Sequence, residues 1–235
     1  MKIVLMQPYF FPYIGYYTMI KHSDMFIVFD TAQYIRRGWV NRNRIIDRNG
    51  EPLYINASIV KAPRETPINE IKLIESNEWK ENILKKLEVY KHLSPYYGDV
   101  RDLVRDCLKN QTIYLSDLNV NILKQINNFL GIKNNISRLS DLDIEFKGIQ
   151  QPDDWGLQLA KFFKAESYIN APGGENIYSK EKYLQQEVDL YFYKNNLNPY
   201  NQKHDLFQKG LSIIDVMMFN SKSEIIDMID DYTIL

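Results

Sequence analysis

Two apolar runs separated by a short stretch of helical character open the chain and constrain its fold more than any other feature. KIVLMQ (2–7) and MFIVFD (25–30) have the length of strands, and GYYTMIKH (15–22) lies between them. Nearly continuous apolar runs of this kind are typical of strands buried on both faces. Because parallel strands need a crossover connection, strand, helix and strand in the first thirty residues predict a βαβ unit and a parallel sheet.

The rest of the chain continues this mixture of strands and helices. Alternation and apolar runs predict strands at 53–59, 167–171 and 188–193, and helical spacing predicts helices at 79–90, 99–110, 114–130, 155–163, 212–220 and 223–230. We therefore predict a single Rossmann-like α/β domain over residues 1–235, with a mainly helical insertion at about 76–131.

Charge and cysteine content exclude several classes of function. The chain has 29 basic and 30 acidic residues and a net charge of −1, which argues against a general nucleic-acid binder. Its one cysteine, Cys107, excludes an internal disulfide and a metal site built from several cysteines. A reduced, cytoplasmic setting is the natural expectation.

The N-terminal apolar run is too short for a secretory signal. Lys2 precedes only IVLM before Gln7 and Pro8 interrupt the run, whereas a signal needs about seven to fifteen apolar residues. No apolar run in the sequence approaches the ~20 residues of a membrane-spanning helix. We expect no membrane insertion.

Four segments follow predicted strands or lie near the C-terminal helices, and each is rich in polar or aromatic residues. They are QPYFFPY (7–13), Asp30 with TAQYIRRGWVNRNR (31–44), NAPGGENIYSKEKY (170–183) and NPYNQKHDLF (198–207). Ligands of parallel α/β sheets bind at the carboxyl ends of the strands. We expect the functional site among these segments.

The second segment has the clearest chemical content. It and the residues just after it hold five arginines, namely Arg36, Arg37, Arg42, Arg44 and Arg48. Guanidinium groups bind phosphate and carboxylate with two parallel hydrogen bonds, and the rings of Tyr34 and Trp39 can stack on a base or sugar. A solvated basic loop is the alternative, but Trp39, Asn41 and Asn43 favour a binding site.

The third segment places Gly173 and Gly174 between a strand and a helix expected to begin near Ser179. Glycines let backbone N–H groups approach an anion, and a helix start adds a favourable dipole. The P-loop pattern G-x-x-x-x-G-K-[ST] is absent, and an ordinary helix start is the alternative interpretation.

The usual catalytic templates, G-x-S-x-G, H-E-x-x-H and G-x-G-x-x-G, do not occur. Of the three histidines, His204 in the fourth segment is the best placed to act as a base. Asp215 lies in an apolar run, so if it is buried its carboxylate must be paired or perturbed. A helix cap or an exposed helix edge is the alternative for Asp215.

Four motifs together resemble the WbqC-like family of bacterial proteins, from Met1 to about Asn220. They are MQPYFFPYIGYY (6–17), GWVNRNRI (38–45), APGGENIY (171–178) and LSIID-x-x-x-FN (211–220). The resemblance implies a product of a surface-polysaccharide (O-antigen type) gene cluster, and some members are labelled glycine or acyl transferases acting on amino sugars. By motif position it favours Gln7, Pro8, Tyr9, Tyr13, Gln33, Arg37, Trp39, Asn41, Asn43, Gln202, Asp215 and Asn220.

The first strand, F-x-P-x-x-G-x-x-x-x-I and a second strand with an acidic end are similar to the start of HIGH-motif nucleotidylyltransferases and pantothenate synthetase-like ligases. This likeness implies a HUP-like form of the fold. Where those proteins carry two histidines, this chain has Tyr13-Ile14-Gly15-Tyr16. Phenols are neutral near pH 7, so the likeness supports the fold more than the reaction.

The leading hypothesis is an N-acyl or aminoacyl transferase, for example a glycyl transferase, that forms an amide on a nucleotide-linked amino sugar. Asp215 or His204 would accept the amine proton, and donors near Asn41 or Asn43 would stabilise the oxyanion. Candidate substrate-binding residues are Gln7, Tyr9, Tyr13, Asp30, Gln33, Arg37, Trp39, Arg42, Gly173, Gly174, Tyr178 and Gln202.

The acyl donor would be an acyl-CoA or an acyl-carrier-protein thioester, and we predict no metal. Partners would be the nucleotide sugar and the acyl carrier protein, with no nucleic acid. Two other hypotheses are a non-catalytic module that binds a nucleotide sugar or glycan, and an ATP-dependent amide ligase.

Overall fold

The computed structural model describes residues 1–109, 111–133 and 136–235. Its strands are β1 (Lys2–Met6), β2 (Met25–Val28), β3 (Arg42–Ile46), β4 (Pro52–Asn56), β5 (Ile136–Arg138), β6 (Ser167–Asn170), β7 (Asp189–Asn195) and β8 (Tyr232–Ile234). Its α-helices are α1 (Ile14–Lys21), α2 (Glu78–Lys86), α3 (Tyr97–Leu108), α4 (Leu115–Leu130), α5 (Asp154–Phe162), α6 (Lys180–Leu184), α7 (Ile213–Phe219) and α8 (Lys222–Asp230).

Six of these strands form one sheet in the order β5-β2-β1-β6-β7-β8. All neighbours are parallel except β7 and β8, which pair antiparallel. Val4 in the central strand stands between Phe26 of β2 and Ile169 of β6. The predicted Rossmann-like α/β fold with a parallel sheet is confirmed.

The direction of the strand order reverses beside β1. From β1 the chain crosses to β2, and β5 is added on that outer side, whereas β6 returns to the other side of β1. The connections that leave β1 and β6 therefore diverge at the carboxyl edge of the sheet. In open α/β sheets this reversal is where ligands bind.

Alternate residues of the buried strands face two separate apolar cores. Val4 and Phe26 belong to the larger core, which also contains buried residues of α1, α3, α4, α7 and α8. Ile3, Leu5 and Ile27 belong to a second core with residues of α5 and α6. This period of two, with both faces apolar, explains why these strands read as continuous apolar runs.

The third strand predicted at 53–59 is observed as β4, but it lies outside the six-stranded sheet. β4 pairs antiparallel with β3 in a separate two-stranded sheet. The predicted turn at 48–50 joins the two strands, and Gly50 has the positive φ of 80° that favours glycine. We predicted residues 31–50 as a polar connection, and β3 within it was missed because the polar Asn43 occupies an inward position.

The predicted helical insertion at about 76–131 holds α2, α3 and α4. Buried residues of these helices, such as Leu84, Val104 and Leu123, belong to the same apolar core as Tyr17 of α1 and Met217 of α7. Across the described residues, no helix is long and apolar enough to cross a membrane.

Candidate functional site

Side chains from distant parts of the chain hold the loop that follows β1. Asn119 of α4 donates to the Pro8 carbonyl at 2.7 Å, and Tyr16 donates to the Gln7 carbonyl in a short bond. The amide of Asn43 donates to the carbonyls of Phe10, at 3.0 Å, and Phe11, at 2.8 Å. An irregular buried loop needs such donors, because its own backbone geometry cannot satisfy its carbonyls.

The start of α7 completes this arrangement. The Ser212 hydroxyl donates to the Phe11 carbonyl at 2.8 Å, and the Ile213 N–H donates to the Pro12 carbonyl at 2.9 Å. Phe11 has a φ of 42°, a left-handed conformation that a bulky residue adopts only when its surroundings impose it. Phe10 and Phe11 are fully buried, so the loop is a rigid part of the core.

Three tyrosines stand at this end of the sheet. The rings of Tyr9 and Tyr16 lie 5.7 Å apart, and the ring of Tyr13 covers Gly15, where a Cβ atom would come within 2.5 Å of it. Burial raises the pKa of Tyr9, Tyr13 and Tyr16 above the usual phenol value. At neutral pH all three hydroxyl groups are neutral. The Tyr16 hydroxyl is used on the Gln7 carbonyl, whereas the side chains of Tyr9, Tyr13 and Gln7 are partly exposed.

Asp30 and Gln33, after β2, are used within the protein. The buried Asp30 carboxylate accepts hydrogen bonds from the Ser140 N–H at 3.0 Å and the Ser140 hydroxyl at 2.6 Å. Gln33 donates to the Arg64 carbonyl at 2.8 Å. Asp30 thereby ties the end of β2 to the residues after β5, and Gln33 ties two surface segments together.

The outward face of the β3–β4 hairpin carries stacked arginines and aromatic rings. We call the set Trp39, Arg42, Arg44 and Tyr54 the hairpin face. The Arg42 guanidinium lies 4.6 Å from the centre of the Tyr54 ring, and that of Arg44 lies 5.1 Å from the centre of the Trp39 ring. Arg42 and Arg44 are two residues apart on one strand, so they point to the same side.

The two hairpin arginines differ in how their donors are used. Arg42 donates from Nε to the Gly38 carbonyl at 3.2 Å and from Nη2 to the Arg37 carbonyl in a short bond. These bonds hold the turn in which Arg37 has a φ of 62°. The Nε of Arg44 is buried and has no acceptor among the described residues.

The contact with the Trp39 ring compensates only in small part for the hydrogen bond that the Arg44 Nε lacks within the described residues. A guanidinium on a ring is worth about 0.5–1 kcal/mol at exposed sites, whereas a hydrogen bond to a charged group is worth about 1.5–3 kcal/mol. A buried, unpaired donor also costs free energy. The ring contact therefore does not replace the hydrogen bond that the Arg44 Nε lacks among the described residues.

Positive charge is concentrated around the hairpin. Residues 31–64 contain seven basic side chains against two acidic ones, Asp47 and Glu51, so the segment carries +5 in a chain of net charge −1. In the described parts of the chain, ion pairs involve other arginines, Arg105 and Arg138, and none of these seven. The cationic surface is thus not neutralised by the protein itself.

The structure uses the amides of Asn41 and Asn43 to fix the fold. Asn41 accepts from the Tyr34 hydroxyl at 2.8 Å and donates to the Ala57 carbonyl at 3.1 Å. Asn43 is buried, and its Oδ1 accepts from the N–H of Arg44 at 2.8 Å while its Nδ2 holds the β1 loop. A role as oxyanion donors stays a prediction, and it requires these amides to exchange partners.

Asp215 is fully buried near the start of α7. Its carboxylate accepts hydrogen bonds from Tyr90 at 2.6 Å, from Gln202 at 2.8 Å, and from Tyr200. Burial raises the pKa of Asp215, although the three hydrogen bonds lower it in part. The Tyr90 hydroxyl also accepts from the Ile46 N–H at 3.2 Å, so this network reaches the β3 backbone.

His204 lies in the segment 198–207 that precedes α7, and its ring packs against the turn of the β3–β4 hairpin. A Cβ atom at Gly50 would come within 2.8 Å of the His204 ring, and His204 Nε2 is buried without a partner among the described residues. Gln202 and Gln208 close this loop, with the Gln202 amide donating to the Gln208 carbonyl at 3.0 Å. The Gln202 amide thus joins the loop that carries His204 to the Asp215 carboxylate. The role of His204 and Asp215 as bases stays a prediction.

The glycine segment packs on β6 and β7. Gly174 lies so close to Asn170 that a Cβ atom would come within 2.7 Å of its amide nitrogen, whereas Gly173 is exposed with open space around it. The Tyr178 ring stacks on that of Tyr168 at 5.9 Å. Burial is the main cause that raises the pKa of Tyr178.

Direct hydrogen bonds thus join three of the four motifs singled out in the sequence: the β1 loop, the hairpin and the start of α7. The glycine motif lies beyond the neighbouring strand β6, at the same edge of the sheet. Sequence reasoning missed several residues that build the site, namely Tyr54, Tyr90, Asn119, Tyr200 and Ser212. Ser212 precedes an apolar helical run and could have been found as a cap, and it does accept from the Ile214 N–H.

No cluster of three or more histidine, cysteine, aspartate or glutamate residues suited to a metal ion occurs within the described ranges. Cys107 is buried, and burial raises its pKa to about 12, so its thiol is unreactive at neutral pH.

Comparisons with known proteins extend over almost the whole chain. The chain is 25% identical over 230 residues to a Mycobacterium tuberculosis (strain ATCC 25618 / H37Rv) protein described as "Uncharacterized protein Rv1507c", an alignment covering 95% of each chain. No solved structure gives a significant match. The WbqC-like protein family matches residues 7–227, which include the β1 loop, the hairpin and α7. The chain belongs to the WbqC-like protein family.

Proposed function

We propose that the protein is a transferase that forms an amide on a nucleotide-linked amino sugar. The observation that carries the proposal is the hairpin face, where arginines without acidic partners stack on aromatic rings next to the β1 loop. Diphosphates are the anions that such paired guanidinium groups suit. The Phe10 N–H donates to the Trp39 carbonyl at 2.9 Å, which places the hairpin face directly beside the β1 loop.

The two kinds of side chain at this edge suit two parts of such a substrate. The cationic surface would hold the diphosphate, with Arg37 and Arg44 as ligands. The neutral hydroxyls of Tyr9 and Tyr13 and the amide of Gln7 would hydrogen-bond sugar hydroxyls, because neutral donors and acceptors match an uncharged polyol. The exposed Gly173 segment and Tyr178 would complete the far side.

In the reaction, the amine nitrogen attacks the carbonyl of an acyl thioester. A C–N bond forms, the C–S bond breaks, the thiol leaves, and the amine gives up one proton to a base. His204 or Asp215 would be that base, after release from the contacts they make in this structure. Donors such as Asn41 and Asn43 would stabilise the oxyanion, a contribution of about 3 kcal/mol in comparable sites.

A second candidate, a non-catalytic module that binds nucleotide sugars, is favoured by one specific observation. The carboxylate of Asp215 and the amide of Asn43 are both buried and fully engaged with the protein. Groups used in this way support a binding surface without taking part in chemistry. Such a module would bind the nucleotide sugar and release no product.

The test begins with a thermal-shift screen of UDP-, GDP- and dTDP-amino sugars, acyl-CoAs and ATP. Hits are then incubated in donor–acceptor pairs, and mass spectrometry looks for the amide product. Arg37→Ala and Trp39→Ala should abolish activity while circular dichroism shows an intact fold, whereas Arg101→Gln on α3 should leave it unchanged. If both variants keep full activity, the assignment of Arg37 and Trp39 to the site is wrong.

The same assay separates the alternatives. Binding without product under any donor supports the non-catalytic module. Amide formation that depends on ATP and releases AMP supports the ligase hypothesis and overturns the thioester donor.

A further inference from the structure

We propose that Arg44 is the residue of the hairpin face that binds a phosphate group, and that it leaves the Trp39 ring when it does so. The inference deepens the proposed function and rests on it for the identity of the natural ligand. Its own content is narrower: it concerns one guanidinium of the hairpin face, one class of anion, and one movement that can be observed.

Two arginines of the segment, Arg36 and Arg42, already donate to backbone carbonyls. Arg36 donates to the Ala62 carbonyl at 3.0 Å. Arg42 donates to two carbonyls of the preceding turn and stacks on Tyr54. Both side chains support the backbone around the site, so neither is free to turn toward a ligand without breaking that support.

The remaining arginines, Arg37, Arg44 and Arg48, differ in burial. Arg37 and Arg48 are exposed, so water satisfies their donors and their lack of protein partners says little. Arg44 is partly buried, and its Nε has neither solvent nor an acceptor among the described residues. Native structures rarely leave a desolvated cationic donor unpaired without a functional reason.

The charge around Arg44 indicates which class of anion binds there. The segment around Arg44 carries +5, and none of its cations pairs with a carboxylate in the described residues. A diphosphate brings more than one negative charge and several acceptor oxygens, whereas a carboxylate brings one charge. The unneutralised surface therefore favours a phosphoanhydride over a simple carboxylate.

Binding requires the Arg44 side chain to move. The Nε of Arg44 is covered while the guanidinium lies on the Trp39 ring, so a phosphate oxygen reaches this donor only after the side chain turns. Turning takes a cation away from the indole. The fluorescence of Trp39 should change on binding, and Trp39→Phe should abolish that change.

The test is titration calorimetry of the full chain with inorganic pyrophosphate and with UDP, using uridine and acetate as probes without phosphate. Pyrophosphate and UDP should bind with an affinity that falls as salt increases. Arg44→Gln should weaken both at least tenfold and leave the melting temperature unchanged or higher, because it removes an unpaired buried donor.

Arg42→Gln is the matched control, since Arg42 has the same chemistry on the same face of the same strand. It should lower the melting temperature, because two carbonyls lose their donor, and it should weaken binding less than Arg44→Gln does. Arg44→Lys, which keeps the charge but not the planar fork, should bind with intermediate affinity. Arg101→Gln should bind as the wild type does.

Equal losses in the Arg42 and Arg44 variants, or tight binding by Arg44→Gln, would overturn the assignment. So would acetate binding as tightly as pyrophosphate. The outcome is independent of the transferase assay. Arg44-dependent pyrophosphate binding without amide formation supports this inference and contradicts the proposed reaction. Amide formation without Arg44-dependent pyrophosphate binding supports the reaction and contradicts this inference.

Discussion

Asp215 shows how much of the site depends on single buried groups. Its carboxylate is surrounded by neutral donors, two phenols and one amide. Burial raises its pKa and outweighs the three hydrogen bonds and the charge of His204, which lower it in part. In the unfolded chain the same carboxyl has an ordinary pKa of about 3.9.

This raised pKa predicts the direction of a pH dependence. The stability that Asp215 contributes is fully present below its unfolded pKa and is lost as pH rises through its folded pKa. The unfolding free energy of the wild type, relative to that of Asp215→Asn, should therefore fall as the pH rises from 4 upward. Urea unfolding of both proteins across pH 4 to 8 measures this difference. A difference independent of pH would contradict it.

Asn43 permits a second prediction at this scale. In Asn43→Ala the Phe10 carbonyl loses its donor and the Arg44 N–H loses the Asn43 oxygen, while the Phe11 carbonyl keeps the Ser212 hydroxyl. The unsatisfied carbonyl and the lost bond to the Arg44 N–H predict a loss of about 2 kcal/mol of unfolding free energy. Asn56→Ala, on the exposed side of the same hairpin, should change it by less than about 0.5 kcal/mol. Equal effects in the two variants would refute the role given to Asn43.

These residues also mark where sequence reasoning ends. The motifs placed the β1 loop, the hairpin and α7 near one another in function, but nothing local in the sequence says that the Asn43 amide is used on Phe10, 33 residues earlier. Asparagine in a polar segment looks like a ligand-binding residue whether its partners are substrate atoms or backbone carbonyls. Only the burial of both groups in three dimensions distinguishes the two.

At the scale of elements, helices α3 and α5 each contain a glycine, and the two glycines differ in the space available for a side chain. Gly156 in α5 lies against Tyr168 and Tyr183, where a Cβ atom would come within 2.5 and 2.6 Å of side-chain atoms. Gly98 in α3 has open space around it. The same substitution in the two helices should therefore have opposite effects.

Gly98→Ala should raise the unfolding free energy by about 0.5 kcal/mol, because alanine favours a helix over glycine. Gly156→Ala should lower it by about 1–3 kcal/mol, because two buried tyrosines must move. Chemical unfolding of the two variants measures both values. A stabilised Gly156→Ala would show that this contact between α5, β6 and α6 is looser than described.

The elements that sequence reasoning predicted well are the long periodic ones. The helix predicted at 114–130 is observed as Leu115–Leu130, and Gly131 ends it with a φ of 72°. β5 and β8 were missed because each has three residues at an edge of the sheet, which is too short for a period to be recognised. β3 was missed because the polar Asn43 takes an inward position between Arg42 and Arg44, so the apolar alternation of a strand is absent there.

At the scale of the whole molecule, one apolar core joins the sheet to the helices between β4 and β5. Its members include Val4 in the central strand, Leu123 in α4 and Met217 in α7. A shared core gives these parts no separate interior on which to unfold independently. The division of the chain into one domain with an insertion is a prediction that unfolding can test.

We expect one cooperative transition. Trp79 lies in α2 and Trp155 in α5, against different cores, so Trp79→Phe and Trp155→Phe each remove one reporter. Urea unfolding of both variants, followed by fluorescence and by far-UV circular dichroism, should give coincident curves for each variant. Separate midpoints for fluorescence and dichroism would show that the helical region unfolds by itself.

The bonds between the β1 loop and α7 also bear on how the protein is made. Phe11 and Ser212 are 201 residues apart in the chain, and translation adds about 5–20 residues per second. Roughly 10 to 40 s therefore pass between the synthesis of Phe11 and that of its partner. The β1 loop therefore leaves the ribosome long before its partner in α7 is made, and a nascent chain that stops before Ser212 carries Phe10 and Phe11 without their final contacts.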